Sequence, residues 1–81
     1  MDIFILAKAD YQNYGLGTQK VYVFRDKRSA TEVMRKQYLD ACKEYGISDP
    51  YKQGHGYEFS ETYAYLEQYV YWDIFRKRIP E

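Results

Sequence analysis

A lone cysteine, Cys42, is all the thiol chemistry this chain carries. No internal disulfide can form, and no zinc site of the multi-cysteine kind can be built. A reducing interior is the natural compartment, so a cytoplasmic location is expected. Long hydrophobic runs are missing too. The opening MDIFILAKAD has an acid at position 2 and an apolar stretch confined to residues 3–7, too short for a signal-peptide core or a bilayer span, and no membrane partner is expected. Charge of one sign is not in excess either: twelve basic residues balance twelve acidic ones, so no overall field draws the chain to nucleic acid or to an anionic surface.

Catalytic and ligating groups are equally sparse. The single histidine, His55, sits between Gly54 and Gly56 in a connector. Cys42 falls near the C-terminal end of the helix read below, where the dipole raises a thiol pKa instead of lowering it. No cluster of His, Cys and carboxylates has metal-ligand spacing, and no cofactor is expected. Gly15-Leu16-Gly17 has the glycines of a phosphate loop without the lysine or the helix that should follow, and reads as a turn. Because no nucleophile, base and orienting group can be named together, the chain is expected not to be an enzyme.

What the chain has in plenty is tyrosine, eleven in 81 residues. That length makes one domain, 1–81, which buries only about 60 to 65% of the surface its unfolded form exposes. Ile3, Ile5 and Ala7 alternate with Phe4 and Leu6, so both sides of the first strand are apolar, the pattern of a strand covered on both faces. The segment DYQNYGLGTQK reads as a long hairpin loop, and VYVF as a second strand paired antiparallel with the first. Ala30, Val33, Met34, Tyr38, Ala41 and Tyr45 then recur at helical spacing. Asp26, or Ser29 with Glu32, would cap this helix, and Gly46 would close it with Ile47 packing back.

After the connector ISDPYKQGHG, the runs YEFSETYAYLEQ and YVYWDIFRKR read as two strands with a tight turn near Glu67 and Gln68. The class expected is α+β, in the order ββαββ: a four-stranded, mainly antiparallel sheet with one helix packed on one face. A three-residue turn would oppose Leu66 with Val70, putting Ala64, Leu66, Val70, Trp72 and Ile74 on one face and Tyr63, Tyr65, Tyr71, Asp73 and Phe75 on the other. A two-residue turn would oppose Leu66 with Tyr69 and shift one strand by one position. The first alternative separates aliphatics from tyrosines.

One helix leaves one face of the sheet open, and tyrosine suits an open face because its ring gives contact area while its hydroxyl stays satisfied in water. Tyr63, Tyr65, Tyr71 and Phe75 are therefore the candidate partner-binding residues, with Arg76 and Arg78 at the rim. The same rings could equally serve as cross-strand pairs that strengthen a small sheet. Arg25 and Arg28 are candidate phosphate contacts, since rings flanked by cations are the logic of nucleotide and single-strand binding. Glu58, Glu61, Glu67 and Asp73 beside the same strands oppose that use.

The opening strand with its DYQNYG loop, the strand VYVFRDKRSATEVM running into a helix and the closing hairpin AYLEQYVYWDIFRKR together resemble small ββαββ proteins of bacteriophages and of mobile elements in gut Firmicutes. The resemblance implies accessory phage biology, among it inhibition of bacterial immunity of the anti-CRISPR kind, exerted by occupying a surface of a host defence effector in the host cytoplasm. It carries no fixed site residues. Beside a protein partner, two further occupants of the tyrosine face are expected from the residues: a nucleotide signal, or a second copy in a homodimer.

Overall fold

The computed structural model describes residues 1–10, 18–52, 54, 56–67 and 69–80. The hairpin loop at 11–17 with its Gly15-Leu16-Gly17 turn, His55 and Gln68 lie outside the described residues. The elements are β1 (Asp2–Asp10), β2 (Thr18–Phe24), α1 (Lys27–Glu44), β3 (Tyr57–Phe59), β4 (Tyr63–Leu66) and β5 (Val70–Arg78). They form one five-stranded sheet in the order β2-β1-β5-β4-β3, with every neighbouring pair antiparallel.

The class is the α+β class expected, but the sheet has five strands where the sequence suggested four. The run YEFSETYAYLEQ is not one strand. Ser60, Glu61 and Thr62, three polar residues in its middle, turn the chain back on itself, and the Ser60 N–H donates to Tyr63 O at 2.8 Å. The turn is anchored on the helix: Thr31 Oγ1 donates to Glu61 O at 2.9 Å, which satisfies the buried polar residue on α1. Folding back lets β3 add Tyr57 and Phe59 to the cover of the helix, with Phe59 5.4 Å from the Tyr38 ring.

Asp26 is the residue that caps α1. Its carboxylate accepts from Ser29 N at 2.7 Å and from Ser29 Oγ at 3.0 Å, and those two bonds hold its pKa below the usual carboxylate value. Ser29 is therefore the second residue of the cap and not the cap itself. At the other end Ile47 N–H donates to Cys42 O at 2.8 Å and Gly46 N–H to Lys43 O at 3.3 Å, the paired bonds of a Schellman closure. Gly46 has φ +74, and a Cβ there would meet nothing within 4 Å. The only penalty for Gly46→Ala is then the left-handed backbone itself, about 1 to 2 kcal/mol. A fall in melting temperature of roughly 4–8 °C per kcal/mol is expected, whereas an unchanged melting point would mean that the helix ends differently.

The core lies between α1 and one side of the sheet. Leu6, Ala30, Met34, Tyr38, Cys42, Ala64, Leu66, Val70, Trp72 and Ile74 are buried there. The hairpin register puts Leu66 opposite Val70, and Tyr69 N–H donates to Leu66 O at 2.9 Å across the turn. Glu67, with φ 46, takes the left-handed conformation that this turn requires. The principal extents are 45 × 27 × 18 Å, and the shortest has room for one helix layered on one sheet.

Candidate partner-binding face

Side chains of a strand alternate between faces, and β5 shows the alternation directly: Val70, Trp72 and Ile74 are buried, while Tyr71, Asp73 and Phe75 are exposed. Pairing carries that parity across the sheet in rows. Phe75 lies beside Ile5, and Ile5 beside Val23. Asp73 lies between Ala7 and Tyr63, with Val21 beyond Ala7. Tyr71 lies between Ala9 and Tyr65, with Glu58 beyond Tyr65. Lys77 lies beside Ile3. No element covers this side among the described residues, so Val21 and Val23 are 63% and 62% exposed, Phe75 47% and Tyr71 43%.

The structure thus brings Tyr63, Tyr65, Tyr71 and Phe75 onto one open face. The strand β1, whose two apolar sides suggested cover on both, has α1 on the side of Phe4 and Leu6 and, among the described residues, nothing on the side of Ile3, Ile5, Ala7 and Ala9. These four, with Val21, Val23 and Lys77, belong to the face and were missed as site residues. The alternation within VYVF carried the signal for Val21 and Val23. Tyr63 donates its hydroxyl to Glu58 Oε2 at 2.8 Å. That bond to a carboxylate pushes the Tyr63 pKa up.

Arg76 and Arg78 do not rim this face. They share the parity of Trp72 and Ile74, and both approach Asp2 on the helix side, at 4.0 and 3.8 Å. A strand of period two cannot present Phe75 and Arg76 to one partner. Arg28 lines a shallow cleft of about 380 Å³ on the flank of α1 with Lys27, Thr31, Arg35 and two acids, Glu32 and Glu61. Arg25 is exposed in the link between β2 and α1. Stacking rings and guanidinium groups therefore do not converge, and a nucleotide stacked on Tyr71 is out of reach of Arg28 and Arg76. No protein-family model, curated protein or solved structure matches the chain.

Elsewhere the chemistry is muted. Cys42 is buried, 1% exposed, and burial pushes its thiol pKa up, away from the reactive thiolate. No group of three or more His, Cys, Asp or Glu that could hold a metal occurs among the described residues. No described helix is long and apolar enough to cross a membrane.

Proposed function

We propose that this chain is a non-catalytic binding protein that works by docking its open sheet face on another protein. The observation that carries the reading is the one-sided cover of the sheet. Phe75, Ile5 and Val23 form an apolar row across β5, β1 and β2, with Ala7 and Val21 in the next row and Tyr71 and Tyr65 in the one after, and contiguous exposed patches of that kind mark interaction sites. Rigid rings lose little entropy on binding and are over-represented among residues that dominate interfaces. A protein surface is favoured over a nucleotide because the face supplies rings and aliphatics without a cation positioned for phosphate beyond Lys77.

The resemblance to small phage proteins adds the class of target: a component of a bacterial immune system, inhibited by occupation of its surface. The test is phage plaquing on a strain with an active defence system, with and without the chain expressed. Plaquing is expected to rise with the wild type and to fall back with Tyr71→Ala combined with Phe75→Ala. Loss of two such anchors weakens binding by at least about tenfold each when they are hot spots. Equal plaquing by the double variant at equal protein level would remove the face from the reading, and no rise with the wild type on any defended strain would remove the target class.

A further inference from the structure

Of the three charges on the open face, Glu58 accepts the Tyr63 hydroxyl, and the placement of the other two specifies an occupant. Asp73 stands in the apolar patch between Ala7 and Tyr63, and Lys77 stands beside Ile3. Neither forms an ion pair among the described residues. Covering a carboxylate or an ammonium without a counter-charge is strongly unfavourable. Whatever closes on this face must bring a cation to Asp73 and an anion to Lys77, with apolar surface between them. Both charges lie on β5, two residues to either side of Phe75.

We propose that the occupant of this face in the free protein is a second copy of the same chain, related by a two-fold axis that lies between the two sheets and crosses β5 at Phe75. The proposal rests on the reading of the open face as a docking surface and names its partner. An axis in that position sets Phe75 against Phe75 of the other copy and Ile5 against Ile5. It sets Asp73 over Lys77 twice, once on each side, which is the self-complementarity an isologous interface requires.

The β1 and β5 positions of the face find counterparts under the same operation, whereas Tyr63 and Tyr65 on β4 extend past the partner's sheet, because β4 begins at Tyr63 and has no residue beside Lys77. Ala7 meets Ile3. The ladder continues past β5, where Ile79 N–H donates to Met1 O at 2.8 Å, and parity puts Ile79 and Met1 on the open side, 36% and 58% exposed. Tyr71 then meets Ile79, and Ala9 meets Met1, so apolar groups face apolar groups. Sheets packed face to face lie about 10 Å apart, a gap that an extended lysine and a shorter aspartate fill together. Aligned sheets cross at about 30°, a small sideways offset for charges about 7 Å from the axis. The overlap consists of β1 and β5 over about nine residues and the Val23 end of β2, at most about 30 by 14 Å at about 3.3 Å rise and 4.8 Å spacing. That is smaller than the roughly 800 Å² per partner of a standard stable interface, so the dimer is a weak, concentration-dependent one. The product would be a sandwich of two sheets with a helix on each outer side, and both faces of β1 would be buried.

The test is the solution mass of the full chain by sedimentation equilibrium, from dilute to high concentration, for the wild type, Asp73→Lys, Lys77→Asp and the double exchange Asp73→Lys with Lys77→Asp. A reversible dimer is expected for the wild type. Each single exchange should weaken it by about tenfold or more, because like charges then face each other across the axis, and the double exchange should restore it. Near-ultraviolet circular dichroism checks that each variant is folded, and Phe75→Asp, which puts two acids on the axis, replaces any that is not. A wild type that stays monomeric at every concentration overturns the proposal, as does a dimer that the single exchanges leave intact or the double exchange fails to restore. A monomer that still raises phage plaquing through Tyr71 and Phe75 would remove only the second copy and keep the docking face.

Discussion

Replacing Trp72 with alanine is expected to remove about half of the stability of this domain. A chain of this length holds about 4 to 12 kcal/mol in all, at roughly 0.05–0.15 kcal/mol per residue, and a buried Trp→Ala change costs about 3–5 kcal/mol. Trp72 is wholly buried and is the largest side chain in a thin core. Its ring meets Tyr38 edge to face at 5.9 Å, and Lys8 Nζ lies 5.7 Å from its ring centroid. Its indole N–H donates to Gln37 Oε1 at 2.9 Å, so alanine would also strand the Gln37 carbonyl. The measurement is the urea midpoint of the variant beside that of Tyr71→Ala, one residue away. Tyr71 points to the open face, and its loss should change the stability of the isolated fold by only about 0.5 kcal/mol or less. Two variants of equal stability would mean that β5 is slipped by one residue, since a slip exchanges its faces.

That contrast rests on a register legible from the sequence. Leu66 opposite Val70 is the one alternative that places five aliphatic or tryptophan positions on one face and the tyrosines on the other, and hydrophobic burial selects it. The helix was legible for the same reason, from six apolar residues at a spacing of three and four. Its cap was ambiguous, because Asp26 and Ser29 are both good caps and sit three residues apart. Asp26 prevails by accepting from both the backbone and the hydroxyl of Ser29, a reciprocity that composition does not reveal.

Two features were not legible, each for a physical reason. The division of YEFSETYAYLEQ into β3 and β4 depends on Thr31, which lies some thirty residues earlier on α1. No local pattern announces a turn held by a distant hydroxyl. The face of β1 was misjudged because apolar residues on both sides of a strand state a need for cover without saying whether the same chain supplies it. Among the described residues α1 is the only helix, and it serves the side of Leu6, which leaves Ile3, Ile5, Ala7 and Ala9 for a partner. Arg76 and Arg78, expected at the rim of the tyrosine face, fall on the side of Trp72 and Ile74, because in a strand alternate residues share a face while neighbours do not.

Stability is expected to fall steeply above about pH 9, and Tyr38 is expected to be a principal cause. Its ring is wholly buried and its hydroxyl donates to Pro50 O. Burial, before any neighbouring charge, drives its pKa far above the ordinary value of 10.0. The thiol of Cys42, also buried, moves up from 9.0 for the same reason, and the hydroxyl of Tyr45 moves in the same direction. A group whose pKa is raised by folding contributes stability that is intact below its unfolded pKa and is lost as pH climbs toward its folded pKa. The ordinary values are 9.0 for the thiol and 10.0 for the phenol, and burial in the fold moves both upward. Each such group removes about 1.4 kcal/mol of stability per pH unit once its unfolded form has titrated. The urea midpoint should therefore be flat from neutral pH to about pH 9 and drop with growing slope beyond about pH 10. Tyr38→Phe leaves Pro50 O without its donor and should start from a lower midpoint, yet its alkaline slope should be shallower by the share of one group. An equal slope in wild type and variant would show that the Tyr38 hydroxyl ionises as readily in the fold as out of it, and so is not buried against Pro50 in solution.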